Sequence, residues 1–167
     1  TGELTQRKLV PALWTLFAPR TLPEPYTIIG TGRTVMSDEA FRDKMKEAVK
    51  EFARFKIPSD QVWQRFAANL FYLPGDPTAP ELYAKLRERL EEMERARGGA
   101  ANRLYYLSTP PSLYDDIVIQ LGKAGLAAQV RESEPVFPDG TSGELRPDVV
   151  VAPQRGVGAP AALGRAT

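Results

Sequence analysis

The chain contains no cysteine and no histidine. Without thiols it has no disulfide framework and no thiolate site for zinc or an iron–sulfur cluster. Without imidazole it lacks the commonest general base and the commonest metal ligand at neutral pH, so no Ser–His or Cys–His machinery operates within it. It also lacks an excess of either charge. Lys plus Arg number 22 against 21 Asp plus Glu, a net charge of +1. That balance excludes a protein whose main business is long-range attraction to nucleic acid or to an anionic membrane. No apolar run approaches the roughly 18 residues of a membrane span, and no signal-peptide pattern opens the chain. What is present is ordinary globular material: 167 residues, 43% hydrophobic and 26% charged. At about 150 residues per domain, this is one domain, or one domain and a tail.

Local patterning supplies the elements. Leu9, Leu13, Leu16 and Phe17 lie on one helical face, with Val10 and Trp14 beside them, and predict a helix over residues 2–17. Pro11 either kinks that helix from inside or sits in the first turn of a shorter one beginning near Val10. Residues 18–25 are proline-rich and read as a loop. Tyr26-Thr27-Ile28-Ile29-Gly30-Thr31-Gly32 reads as a strand running into a tight turn. Ser37 offers an N-cap, followed by Asp38 and Glu39 where the helix dipole favours acids. Phe41, Met45, Val49, Phe52 and Phe55 then step along one face of a helix. Pro58-Ser59-Asp60 opens a short helix carrying Val62, Trp63 and Phe66. Residues 69–73 read as a second strand, stopped by Pro74-Gly75-Asp76-Pro77.

Residues 79–97 give the clearest helix, striped by Leu82, Leu86, Leu90 and Met93. Opposite charges stand four apart at Glu81/Lys85, Arg87/Glu91 and Glu91/Arg95, and Gly98-Gly99 ends the helix. Residues 103–109 read as a third strand, stopped by Pro110-Pro111. Ser112 with Asp115 resembles a capping box for a helix to about Gly125. From Ala127 the composition shifts. The last 41 residues hold five Pro, five Gly and four Arg but no Lys, Ile, Tyr, Asn, Met or Trp. Their single strand candidate is Asp148-Val149-Val150-Val151, and the stretch reads as a disordered or foreign tail. Strand and helix alternate, which predicts an α/β fold with a parallel sheet covered by helices.

Three places could carry chemistry. Gly2, at the start of a helix, would let a phosphate approach bare N–H groups, although the same letters describe an ordinary helix start. Arg33 and Thr34 directly follow the first strand. In a dinucleotide fold an acid at that position holds the ribose 2′-OH of NAD, and an Arg accommodates the 2′-phosphate of NADP. A solvated turn arginine fits the same residue. Thr109-Pro110-Pro111 fixes a loop at the C-terminal end of a strand, where open α/β sheets bind ligands, or simply terminates that strand. Asp115 and Asp116 are adjacent, hence about 100° apart on a helix, and form no facing acid–base pair.

Together these segments resemble the glucose-6-phosphate dehydrogenase family. Gly2-Glu3-Leu4-Thr5-Gln6-Arg7-Lys8-Leu9-Val10-Pro11-Ala12-Leu13 is similar to that family's Gly-Asp-Leu, Lys, Leu-Ile-Pro-Ala-Leu signature. Leu22-Pro23-Glu24, Ile29-Gly30-Thr31-Gly32-Arg33-Thr34 and Met36-Ser37-Asp38-Glu39-Ala40-Phe41-Arg42 follow in the family's order. Tyr72-Leu73-Pro74-Gly75-Asp76 resembles its tyrosine-bearing strand. The block from Asn102 through Arg103-Leu104-Tyr105-Tyr106-Leu107 to Pro110-Pro111 resembles its Asn-Arg-Leu-Phe-Tyr-Leu-Ala-x-Pro-Pro.

The resemblance implies a Rossmann-like NADP-binding domain over residues 1–126, with helices on both faces of the sheet and residues 127–167 as an irregular tail. It implies NADP as cofactor. Thr1, Gly2, Glu3 and Leu4 would line the pyrophosphate turn, and Arg33 with Thr34 would hold the 2′-phosphate. Tyr114 would lie near the cofactor, with Thr109 and Pro110 beside the nicotinamide. The family's enzymes oxidise glucose 6-phosphate to 6-phosphogluconolactone, passing hydride to NADP⁺ in the pentose phosphate pathway. A cytoplasmic homo-oligomer, engaging neither nucleic acid nor membrane, is the corresponding expectation for the full-length protein.

Departures from the pattern set further expectations. Glu3 replaces the family's Asp. The strand expected before Thr1, at the centre of the sheet, is absent, so a marginal or molten state is expected. Glu134-Pro135-Val136-Phe137-Pro138 lacks the lysine of the family's Glu-Lys-Pro-Phe-Gly motif, so no role is carried onto it. An out-of-frame tail would account for the composition shift. With no catalytic His–Asp pair, the polypeptide is expected not to turn over substrate. Two other readings stay open: a remnant that binds nucleotide phosphate weakly or pairs with an intact subunit, and a helical interaction module built on residues 79–97.

Overall fold

A computed structural model describes residues 2–22, 24–126 and 149–152 of the chain. The first helix begins at Glu3 and passes through a π-helical turn, Thr5–Leu9, into α1, Val10–Phe17. Pro11 explains the turn. Its ring has no N–H to donate and crowds the carbonyl four residues back. Widening the preceding turn, so that Val10 N–H donates to Thr5 O, carries the chain past it without a break. Both expected placements of Pro11 are thus partly realised: the helix starts near Gly2, and Pro11 occupies the first turn of its α-helical part.

Strand β1, Thr27–Gly32, leads to α2, Asp38–Phe52. Ser37 caps α2, its hydroxyl accepting from Ala40 N at 3.1 Å. The apolar stripe ends with the helix. Phe41, Met45 and Val49 are buried, whereas Phe55 lies beyond the last turn and is exposed. Phe55 contributes its carbonyl instead, accepting from Trp14 Nε1 at 2.8 Å. Helix α3, Asp60–Ala67, is capped by Ser59, and strand β2 is Leu70–Pro74. Helix α4, Pro80–Arg97, stops at Gly98, whose φ of 79° is the left-handed conformation that glycine adopts without steric cost. Of its three expected charge pairs, Arg87–Glu91 forms, at 3.6 Å.

Strand β3 is Arg103–Tyr105, four residues shorter than the sequence pattern predicts. A 3₁₀ turn, Pro111–Leu113, then leads into α5, Tyr114–Lys123. Ser112 is therefore not an N-cap, because Pro110 and Pro111 start the turn before it and no side chain caps α5. Asp115 and Asp116 occupy the first turn of α5, where its dipole favours them. Strand β4, Val149–Ala152, is the described part of the last 41 residues. The expected disorder of the remaining tail concerns residues outside those described.

The sheet is parallel throughout, in the order β2-β1-β4-β3. Strand β4 pairs on one side with β1, Thr27 against Val149, and on the other with β3, Arg103 against Val149. It thus fills the central position that the sequence reading left vacant.

Alternation along the strands builds two cores. Ile28, Leu70 and Tyr72 face α1, α2 and α3, joining Trp14, Phe41, Met45, Trp63 and Phe66. Ile29, Phe71 and Leu73 face α4 and α5, joining Leu82, Leu86, Leu90, Ile117 and Leu121. Helices therefore cover both faces, as the alternation of strand and helix predicts. Aromatic packing dominates the first core. Trp14 meets Phe66 edge-on at 5.4 Å and Trp63 at 5.9 Å, contacts worth about 0.5–1.5 kcal/mol each beyond burial.

Candidate functional site

In a parallel sheet every strand's C-terminal end lies at one edge, and the helices that follow begin there. Open α/β sheets bind ligands at that edge. Here Arg33 and Thr34 follow β1, Gly75 and Asp76 follow β2, and Ser108, Thr109 and Pro110 follow β3. Tyr114 opens α5 close behind.

Arg33 is exposed and makes no hydrogen bond or ion pair among the described residues. Its guanidinium is thus available to an anion. The nearest acid of consequence is Asp76, which is engaged elsewhere. Asp76 Oδ1 accepts from Thr78 N at 2.8 Å and from Thr78 Oγ1 at 2.7 Å. Those bonds, with a smaller contribution from the Arg33 charge, hold its carboxyl below the usual aspartate range.

The turn that carries Arg33 is held by backbone. Gly32 O accepts from Gly75 N at 2.8 Å, and the Tyr72 hydroxyl stands 3.1 Å from Gly32 O and 2.8 Å from Thr34 O. Sequence reasoning assigned Tyr72 to a strand and gave it no part in the site. Its partners lie 40 and 38 residues away, so no local pattern could have shown them.

At the end of β3, Ser108 and Thr109 are each 1% exposed, and neither hydroxyl has a hydrogen-bond partner among the described residues. A buried hydroxyl without a partner is costly. Two of them side by side, at the edge where ligands bind, suit a polar group that the described residues do not supply. Pro110 is half-buried and extended, with φ −57° and ψ 144°, and Tyr114 is 38% exposed.

Thr1 lies outside the described residues. Gly2 accepts from Gln6 N at 3.1 Å as an ordinary first turn, and Glu3 pairs with Arg7 at 2.6 Å. Leu4 is half-buried in the same turn. Nothing among the described contacts ties Gly2, Glu3 or Leu4 to Arg33 or Thr109. Arg7 instead lies 5.2 Å above the Phe52 ring, in the last turn of α2 and remote from its Ser37 end. Arg33 and Thr34 thus follow the C-terminal end of β1, and Thr109, Pro110 and Tyr114 follow that of β3.

A depression of about 550 Å³ opens between Lys46, Lys50, Lys56, Ile57, Ser59 and Asp60. Asp60 already neutralises Lys46 there, at 2.6 Å. Among the described residues no acidic, thiol or imidazole cluster could hold a metal, and no helix is long and apolar enough to cross a membrane.

Comparison with known proteins places the chain in a family. A family model described as glucose-6-phosphate dehydrogenase, NAD binding domain, matches residues 1–136. The glucose-6-phosphate 1-dehydrogenase of Chlamydia muridarum is 36% identical over 123 residues, which are 74% of this chain and 24% of that protein. That of Aggregatibacter actinomycetemcomitans is 37% identical over 131 residues, 78% of this chain and 26% of that one. The chain thus spans about a quarter of the length of these relatives. Among solved structures, the glucose-6-phosphate 1-dehydrogenase of Mycobacterium avium superposes with a TM-score of 0.64 at 30% identity, over 78% of this chain and 26% of that one. A second, a glucose-6-phosphate dehydrogenase in complex with its substrate glucose 6-phosphate, gives 0.61 at 22% identity over 91% and 27%. At that identity it shows likeness of fold alone. The chain belongs to the glucose-6-phosphate dehydrogenase family and corresponds to its nicotinamide-dinucleotide-binding domain.

Proposed function

We propose that this chain is the NADP-holding part of an enzyme that oxidises glucose 6-phosphate to 6-phosphogluconolactone. The observation that carries the cofactor reading is the end of β1. It delivers an exposed arginine without an ion-pair partner among the described residues, where a dinucleotide fold reads the 2′ position of the adenosine ribose. An acid there would repel a 2′-phosphate, and the Asp76 carboxylate, which feels the Arg33 charge, is turned onto Thr78. Arg33 would grip the phosphate through charge-assisted bonds, and the Thr34 hydroxyl would add a donor. The buried Ser108 and Thr109 hydroxyls would meet the polar edge of the other end of the dinucleotide, with Pro110 fixing the loop and Tyr114 beside it.

When bound, the nicotinamide of NADP⁺ supplies the hydride acceptor. The chain's own part is to bind and orient. It holds no histidine, so this polypeptide accounts for the cofactor half of the reaction, and glucose 6-phosphate is the substrate of the whole protein. Residues 2–4 would serve as the pyrophosphate turn, as the resemblance implies.

Thermal unfolding of the 167-residue chain with saturating NADP or NAD tests the reading, because a ligand that binds only the folded state raises the transition. NADP should raise the midpoint more than NAD. Replacing Arg33 by Ala removes charged hydrogen bonds worth about 1.5–3 kcal/mol, so NADP affinity should fall about tenfold or more while NAD is unaffected. An unchanged ratio between the two dinucleotides would sink the assignment of Arg33.

A further inference from the structure

We propose that Tyr72 is a positioning residue for the 2′-phosphate grip: its buried hydroxyl fixes the start of the connection between β1 and α2, the part on which Arg33 is mounted. The inference rests on the cofactor reading above and adds a residue to it. The connection, residues 33–37, is mostly solvent-exposed, and Val35 is 84% exposed. Its own anchors lie at its far end, where Met36 packs against the first core and Ser37 caps α2; the part around Arg33 has none of its own. Tyr72 meets the connection at three points. Its hydroxyl reaches Gly32 O at the start and Thr34 O in the middle. Its backbone N–H donates to Asp38 Oδ1 at 2.6 Å, at the start of the helix that follows.

Strand β2 is the edge of the sheet, which leaves that N–H free to take a side chain rather than a neighbouring strand. The ring is itself immobilised. Tyr72 is buried and stacks on Phe41 at 5.2 Å with 29° between the planes. The two carbonyls on either side of Arg33 are therefore tied to one hydroxyl in the core. An arginine whose backbone is already ordered loses less freedom on gripping a phosphate, which is how preorganisation raises affinity.

Tyr72→Phe tests this in the full chain, since it removes the hydroxyl and keeps the ring stacked on Phe41. The loss of one such hydrogen bond should weaken NADP about three- to tenfold. NAD binding should be little changed, and the unfolding midpoint without nucleotide should fall by a few degrees, as loss of one buried hydrogen bond implies. A merely structural role would weaken both dinucleotides together. Arg33→Ala runs beside it. If Arg33→Ala leaves the NADP-to-NAD ratio unchanged, the cofactor reading fails whatever Tyr72 does. If Arg33→Ala erases the ratio and Tyr72→Phe leaves it intact, the positioning role alone is overturned.

In the double variant the Tyr72 change should have no further effect on NADP. Amide hydrogen exchange gives a readout that needs no nucleotide. Residues 33–36 should exchange faster in Tyr72→Phe while the amides of β1 are unaltered, and unaltered exchange at 33–36 would overturn the proposal by itself.

Discussion

Gly30, in the middle of β1, is required by space. A Cβ built there would lie 2.7 Å from Phe41 Cζ. The Phe41 ring is fully buried and stacked on Tyr72, so it has no room to swing aside. Gly30→Ala should therefore destabilise by about 1–3 kcal/mol as an overpacked core does, visible as a lower denaturation midpoint at unchanged slope. The displaced ring would also press on Tyr72, so nucleotide discrimination and stability should fall together in this variant. At this scale the sequence disclosed Arg33, because the residue after a strand and a glycine occupies a known place in a dinucleotide fold. It did not disclose Tyr72, which looks like any aromatic residue of a half-buried strand until its hydroxyl is followed across the sheet. The partnerless hydroxyls of Ser108 and Thr109 were equally hidden, since burial of a polar group is a property of its surroundings.

Among the elements, α4 shows how an ion pair can register a strand. Glu94, in its last turns, accepts from Arg103 at the start of β3, at 2.7 Å from one terminal nitrogen and 3.0 Å from Nε. The two side chains are only 15% and 7% exposed. Both charges are thus largely withdrawn from water, and removing one strands the other. Glu94→Ala should cost about 3 kcal/mol by that argument, whereas Arg87→Ala, which breaks an exposed pair on the same helix, should cost about 0.5 kcal/mol or less. Urea denaturation of the two variants compares them directly, and equal losses would refute the special position of Glu94. The helix itself was legible, because its Leu82, Leu86 and Leu90 stripe and its terminal glycines are local signals. So were the Ser37 cap and the start of α3 at Pro58-Ser59-Asp60. The length of β3 was not legible. Its ladder ends with Tyr105 opposite Val151, a pairing between distant segments that leaves no mark in the local pattern. The capping box expected at Ser112 failed for a related reason: two prolines impose a 3₁₀ turn that displaces the start of α5 to Tyr114.

The arrangement of the whole molecule turns on β4. Strand β3 has no other ladder partner among the described residues, so β4 joins it to the rest of the sheet. The natural absence of cysteine allows a clean test. Leu104 and Val150 are register partners, and Leu104 is exposed enough to substitute safely. Paired strand positions bring Cα atoms to about 5 Å, within the range that a disulfide spans. Leu104→Cys with Val150→Cys should form an intramolecular disulfide on mild oxidation, seen by non-reducing electrophoresis. A disulfide-linked dimer would mean that the central strand comes from a second copy, and no disulfide would contradict the strand order.

The sequence by itself determined the parallel α/β class, the helices, the Ser37 cap and the arginine at the end of β1, because periodicity, caps and turn residues act between near neighbours. Only the tertiary structure decided the strand order, the placing of Val149–Ala152 between β1 and β3, and the fastening of Arg33 by Tyr72. A parallel ladder is made of main-chain bonds between distant segments, and those bonds carry no side-chain signature by which a run of valines could announce its neighbours.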